Sequence, residues 1–493
     1  MSIAKIGYLL LVISSFGLHA QGYEEDVLNY SINQLNGTPR VQSLGGAFNS
    51  LGGDPSAIYI NPAGLGFYQR SEIGGSLGAQ LLLVKSDVSN LNSVKNTKQN
   101  PVTADLNHLD IVFANPVDDA SNKWRGGAWG ISYQKVKNFN QKFSYEGLNT
   151  QNSARDFYLS ELEGQVTVED LETGVANVTN ATYTAWLAAL VQEIDTANPL
   201  TTAYFTLDDG APVVQKNEVT VSGGINQWNL SYGGNWDDEL YVGGGASLVT
   251  INYERETKYS EFLTPQNRLL SFTNNETYTV QGDGFNLRLG VIYSPILPLK
   301  LSVAWQSPTW YNMSESYLNS VSVNEDTASY SPIESTSGTF SYKLKMPAIL
   351  RVGVAYFIGK YGFVTADVEY VDYKKAKLKD DFGSFSLANS AILQQYNSIL
   401  NFKVGAEGRY ENYRLRLGYA FFDDPVQNDA IDRKRNYITL GLGYRTKRRS
   451  FDLTVKRSSF SSFYSPYVLG GAEPSVTTKS TSIELLAGIS IYY

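Results

Sequence analysis

The chain contains no cysteine, which excludes disulfide staples and thiolate metal sites. Histidine is almost as scarce. Of two residues, only His108 lies beyond the N-terminal leader, and a single imidazole does not make a metal site. No cofactor is implied. A cationic excess is also missing: the formal charge of −8 argues against a nucleic-acid partner, which would require a basic patch. Past residue 20 no apolar run approaches the roughly 20 residues that a transmembrane helix requires. A length of 493 residues corresponds to about three soluble domains at ~150 residues each, unless one barrel absorbs the whole chain.

The chain is rich in tyrosine (34) and glycine (43), which suits strands that lie in an interface and turn tightly. Its start reads as a cleaved secretory signal over 1–20. Lys5 precedes an apolar stretch from Ile6 to Leu18, Leu18-His19-Ala20 precedes Gln21, and Glu24, Glu25 and Asp26 follow. No cysteine follows the cleavage site, so the mature protein is not lipidated there.

Beyond the leader, alternation with period two recurs. Leu350, Val352, Val354 and Tyr356 alternate with Arg351, Gly353 and Ala355; Ile438, Leu440, Leu442 and Tyr444 alternate with Thr439, Gly441 and Gly443; and Ile483, Leu485, Ala487, Ile489, Ile491 and Tyr493 close the chain. Strands are expected near 72–84, 105–115, 125–137, 224–234, 240–253, 283–294, 299–307, 347–358, 362–373, 400–410, 413–422, 435–445, 450–457 and 481–493. Connections after odd-numbered strands are long, the longest being 138–223, and those after even-numbered strands are mostly short. That sorting fits a membrane barrel with one end outside and one in the periplasm, and a soluble sandwich has no reason for it. The fold class is therefore all-β, a transmembrane antiparallel barrel of about fourteen strands. In lipid the first strand must close on the last. The terminal Tyr493 resembles the signal that such barrels present to the barrel-assembly machinery. The expected setting is the bacterial outer membrane, with its lipid as a partner.

Residues 21–70 do not read as spanning strands. Thr38-Pro39 and Asp54-Pro55 are helix starts, and small residues crowd between and after them, as expected of a plug inside a barrel spanning 71–493. The runs Ser43-Leu44-Gly45-Gly46-Ala47-Phe48 and Leu51-Gly52-Gly53-Asp54-Pro55-Ser56-Ala57-Ile58-Tyr59-Ile60-Asn61-Pro62-Ala63-Gly64-Leu65 resemble the hatch signature of the FadL/TodX transporters of long-chain fatty acids and hydrocarbons. The resemblance implies a fourteen-strand barrel with an N-terminal hatch. It also implies passage of apolar molecules through a side opening beside a kinked third strand. Gly45, Gly46, Asn61, Pro62, Ala63 and Gly64 are the implied gating residues. Gly126, Gly127 and Gly130 open the third strand, and strand glycines often mark bends, so the wall opening is expected there.

Other candidates have competing readings. Arg288, Arg351, Arg409 and Arg416 fall on the polar register. They either guide an acidic headgroup or join acidic residues in bracing barrel and plug, and the presence of both signs favours bracing. Trp186, Leu187, Leu190, Val191 and Ile194 follow helical spacing in the 138–223 connection; this stripe either collects apolar ligand or packs as a cap. Gly74-Gly75-Ser76-Leu77-Gly78 matches a nucleophile elbow, but it lies within a strand and not at a strand-to-helix turn. The resulting expectation is a non-enzymatic, passive transporter of hydrophobic small molecules. The alternative is a barrel that binds a secreted protein, similar to the shuttle of type IX secretion. Cleavage after Ala20 is predicted: N-terminal sequencing of the membrane fraction should begin at Gln21, and an intact Met1 or a soluble product would contradict it.

Overall fold

A computed structural model describes residues 23–31, 34–97, 101–118, 121–195, 197–208, 210, 212–263, 267–326, 329, 331–336, 338–381, 383–427, 431–471 and 473–493. The expected leader at 1–20 lies outside them. Fourteen strands form the wall: β1 (Glu72–Ser89), β2 (Val102–Pro116), β3 (Trp124–Asn138), β4 (Val213–Trp236), β5 (Leu240–Phe262), β6 (Leu269–Ile296), β7 (Leu299–Gln306), β8 (Ile349–Phe357), β9 (Gly362–Asp372), β10 (Ser398–Tyr410), β11 (Tyr413–Phe422), β12 (Arg435–Arg445), β13 (Arg449–Tyr464) and β14 (Ser475–Tyr492). Each pairs antiparallel with its neighbours. β1 and β14 close the cylinder in register from Glu72↔Tyr492 to Ser89↔Ser475.

Alternation along the strands sets the two faces. Ile73, Leu77, Leu289, Val303, Leu417, Ile438 and Leu485 lie exposed on the outside. Ser76, Asp110, Arg288, Ser302, Asp367 and Thr454 lie buried on the inside. So large an exposed apolar surface is unfavourable in water. On a closed sheet with a polar interior it is the architecture of a bacterial outer-membrane barrel. Among the described residues no helix is long and apolar enough to cross a membrane.

The wall extends past the membrane at the long-connection end. β4, β5 and β6 have 24, 23 and 28 residues, against the roughly 9–11 needed to span a bilayer. The 138–223 connection is accordingly shorter than expected. Gln141–Asn149 pairs with Val213–Val221 as a continuation of the sheet, because Phe143, Tyr145 and Val219 bury an inward face there. The remaining loop carries three short helices, α4 (Ala154–Leu162), α5 (Val168–Thr173) and α6 (Asn180–Leu187). The segment before the wall contributes α1 (Tyr23–Ser31), α2 (Pro39–Gln42) and α3 (Ala57–Ile60), then a 3-10 turn over Pro62–Phe67. Their partners are inward-facing wall residues.

Candidate functional site: the hatch, its seats and the wall beside it

Residues 34–70 are held together by their own caps. The Thr38 hydroxyl accepts from Val41 N at 3.3 Å and donates to Asp54 at 3.0 Å. Thr38 N donates to Ser56 Oγ at 2.9 Å. Asn61 stands extended before Pro62; its Nδ2 donates to Asn49 O at 2.8 Å and its Oδ1 accepts from Ala63 N at 3.2 Å. Gly64 fits where a Cβ would lie 2.9 Å from Ala57 Cβ.

This body rests on the wall at two glycine-lined seats. At the first, a Cβ on Gly290 of β6 would lie 1.8 Å from Asn61 Oδ1, one on Gly243 of β5 2.3 Å from the Pro62 carbonyl carbon, and one on Gly233 of β4 2.2 Å from Pro62 O. At the second, Cβ atoms on Gly405 of β10 and Gly418 of β11 would lie 2.5 Å from Leu44 O and 2.0 Å from Gly45 N, and one on Gly441 of β12 would lie 2.3 Å from Ser43 Cβ. Gly45 and Gly46 take left-handed backbone (φ +63° and +72°) to make that turn. Polar contacts lock both seats. Asp367 accepts from Phe48 N at 2.7 Å and Asn49 N at 2.9 Å. Thr439 donates to Ser43 O at 3.0 Å, and Ser231 donates to Ile58 O at 2.6 Å. The six wall glycines were not singled out by strand alternation or by the hatch motif. Their signal was present, since each falls on the lumen register of its strand.

The third strand is irregular at its glycines and again farther along, and it loses pairing only at the second place. Gly126 has φ +100° beside a bulge. Gly127 nevertheless pairs with Asn115 and Gly234, and Gly130 with Val112 and Ser231. Gly130 makes room for the hatch, since a Cβ there would lie 2.5 Å from Ile58 Cγ1. The β2–β3 ladder ends farther along, at His108↔Gln134. Beyond it Val102 to Leu106 pair with β1 and Lys135, Lys137 and Asn138 with β4 across a second bulge; no pairing joins β2 to β3 there. Side chains bridge the gap: Lys135 Nζ lies 2.6 Å from Asp105, and Asn138 Nδ2 donates to Asp105 at 2.9 Å. Lys135 follows Ile131 and Tyr133 on the outward register, so the bulge lets a cation escape lipid by reaching Asp105. Asn107, bulged out of register against β1, donates to Gly37 O of the hatch at 3.0 Å.

Two cavities lie in the lumen around α1. One of about 140 Å³ is bordered by Tyr30, Tyr59, Arg288, Tyr311 and Arg351. The other, about 430 Å³, is lined in part by Phe139, Phe143, Tyr253 and Phe460 and in part by Arg255, Arg435, Lys456 and Glu484, and reaches the wall at Gln80, Leu82 and Lys137. Of the predicted lumen cations, three brace. Arg351 binds Glu369 at 2.7 Å, and Arg409 and Arg416 both bind Glu407 at 2.7 Å, with Arg416 also 2.6 Å from Asp452. Arg40 of the hatch joins them, 3.7 Å from Glu407. Arg288 differs. It is buried, it donates to Asn229 Oδ1 at 3.1 Å and to Ser247, and no ion pair to it occurs among the described residues.

The loop stripe does not form one helical face. α6 ends at Leu187 because Ala189 turns left-handed (φ +56°) and Leu190 N bonds back to Ala185 O at 2.9 Å. Leu190 and Val191 are fully buried in a core that the loop shares with Tyr259, Leu269 and Phe272 of the wall, and Trp186 is half-buried against it, whereas Leu187 and Ile194 are exposed. Burial pushes the Glu161 carboxyl of this cap above its usual range despite hydroxyl bonds from Thr179 and Thr182. Ser76 and His108 meet, which the sequence analysis did not foresee. Ser76 Oγ lies 2.6 Å from His108 Nδ1, and His108 Nε2 lies 2.9 Å from Asp110. Ser76 is buried mid-strand, and its oxygen also accepts from Asn107 at 3.0 Å, so the trio supports the hatch contact rather than presenting an exposed nucleophile.

No family model and no curated protein sequence matches the chain. Solved structures do. A FadL homologue from Pseudomonas aeruginosa aligns at 12% identity over 94% of this chain and 99% of that one, with a TM-score of 0.54. The Pseudomonas putida toluene transporter TodX aligns at 13% identity over 93% and 99%, TM-score 0.52. The Ralstonia pickettii toluene transporter TbuX aligns at 14% over 93% and 99%, TM-score 0.50. At these identities the likeness is one of fold, and it extends the resemblance seen in residues 41–66 to the architecture of the whole barrel. The seats generate a test. Gly290→Val should unseat the hatch at a cost of about 1–3 kcal/mol, read as new proteolytic cuts within 34–70 of an assembled barrel. Wild-type protection of that segment would contradict the seat.

Proposed function

We propose that this barrel carries hydrophobic small molecules, fatty acids or hydrocarbons, passively across the outer membrane and releases them sideways into lipid. The observation that carries the reading is the 430 Å³ cavity, aromatic on the side of Phe139, Phe143, Tyr253 and Phe460 and polar on the side of Arg255, Arg435, Lys456 and Glu484, which reaches the wall beside the unpaired β2–β3 stretch. A pore for hydrated solutes would line its lumen with polar groups throughout. Burial of apolar surface is worth about 25 cal/mol per Å², so cargo leaving directly into lipid keeps a gain that an aqueous exit would forfeit. Partition down a gradient then needs no other drive. The structures similar in fold include toluene transporters, which supports apolar cargo.

In this reading the hatch is the gate, with Asn61 to Gly64 on one seat and Gly45 and Gly46 on the other. The side opening is assigned to Lys135–Asn138 rather than to Gly126 and Gly127. Arg288, a buried cation with neutral partners, is placed to receive an acidic headgroup. Leu187 and Ile194 are the loop residues left free to meet ligand. The secretion-shuttle alternative is less well supported, because the long loop packs its apolar side chains against the ends of β5 and β6 and against Val321, Val323 and Tyr467.

The gap gives a direct test, since the chain has no native cysteine. Asp105→Cys with Lys135→Cys, once shown to crosslink, should lower uptake of a labelled long-chain fatty acid on the order of tenfold on oxidation, with recovery on reduction; a tenfold loss corresponds to about 1.4 kcal/mol. Uptake at the wild-type rate in the crosslinked barrel would eliminate the side exit.

A further inference from the structure

A second apolar concavity lies on the outside of the barrel, away from the hatch and the gap. It is a groove of about 870 Å³ across β10 to β14 at the short-turn end. Its floor is made of small outward residues, Gly408 and Ala487, and its sides of Tyr410, Tyr413, Leu442 and Tyr444. A Cβ on Gly408 would meet nothing within 4 Å, so the glycine leaves open space where neighbouring outward positions carry large side chains.

Cations gather at the mouth of this groove. Arg414 lines it and donates to the carbonyls of Glu411 and Tyr413 at 2.7 Å each. The β12–β13 turn follows with Lys447, Arg448 and Arg449, all exposed. The two turns are tied together by Arg445 N donating to Asn412 O at 2.9 Å. Arg70 reaches the same place, its Nη1 donating to Lys447 O at 2.7 Å. Glu411 is the one carboxylate on these two turns, and among the described residues none of these five cations is in an ion pair. Cations at another short turn are paired: Lys123 and Arg125 lie 3.7 and 3.4 Å from Asp237. Five cations so close together, outnumbering the carboxylates beside them on a chain of net charge −8, suit an anion from outside the protein.

We propose that the groove is a specific site for one anionic phospholipid of the surrounding leaflet. An acyl chain lies on Gly408 and Ala487 between the tyrosines, and the headgroup phosphate sits among Arg414, Lys447, Arg448 and Arg449. The chemistry matches at both ends, since basic clusters beside a membrane surface select anionic headgroups and tyrosines prefer the interface between them. The site is independent of the transport path, because none of these residues borders the lumen cavities.

The test is native mass spectrometry of the full mature barrel, purified from an equal mixture of phosphatidylglycerol and phosphatidylcholine. Wild type should retain phosphatidylglycerol in excess on the order of tenfold, and the excess should fall with ionic strength. The triple variant Lys447→Gln, Arg448→Gln, Arg449→Gln should lose the excess. Gly408→Trp, which fills the floor without touching a charge, should lose the retained lipid while the barrel still shows heat-modifiable migration on gels. Equal retention of the two lipids by wild type would overturn the proposal, and so would an undiminished excess in the triple variant. An undiminished excess in Gly408→Trp would also overturn it, leaving a basic rim that attracts anionic headgroups without a seated acyl chain.

Discussion

A backbone amide in hydrocarbon has no solvent to fall back on, so every peptide group in the spanning wall needs a partner within the protein. The rest of the structure follows from that constraint. It forces β1 onto β14, and it sends the excess length of β4 to β6 outward past the membrane. It also makes a break in the ladder costly enough to require compensation. The one between β2 and β3 is bridged by Lys135, Asp105 and Asn138. Side-chain contacts of this kind can open and re-form singly, whereas a continuous ladder opens only as a unit. The proposed side exit falls on this stretch, which is held by side chains.

The same economy of backbone contact fixes the hatch. Its two motifs approach the wall so closely that the six seat glycines and Gly130 must lack side chains. Asp367, accepting from two hatch N–H groups, and Thr439 and Ser231, donating to hatch carbonyls, then satisfy backbone groups that the lumen would otherwise strand. Ion pairs from Arg40 through Glu407 to Arg416 continue the bracing at the short-turn end. These contacts bear on the gap through Asn107, which leaves the β1–β2 register to hold Gly37.

Most of the wall was legible in the sequence because alternation and loop length are local signals. All fourteen expected strands occur near their expected positions, and Thr38-Pro39 caps and starts α2 as its residue types predict; the start expected at Asp54-Pro55 comes two residues later, with Ser56 before α3 and Asp54 accepting from Ser56 N in the turn. What escaped was non-local. Gly126 and Gly127 signalled a bend, and a bulge is present, but the loss of pairing depends on where β2 stops matching β3, which no single strand records. Ser76 and His108 are separated by a connection, and only the β1–β2 register brings them together. The apolar spacing from Trp186 to Ile194 resembled a helix, yet the left-handed turn at Ala189 redirects it so that Leu190 and Val191 pack inward.

The central claim is that apolar cargo travels through the lumen and leaves between β2 and β3. Diffraction from crystals soaked with a brominated fatty acid would test it most directly, because anomalous scattering locates the bromine without assumptions about the chain. The account predicts bromine in the cavity bordered by Lys137, Phe139 and Phe143 and at the gap beside Asp105. Bromine confined to the outer, lipid-facing surface, with the lumen free of it, would contradict the account.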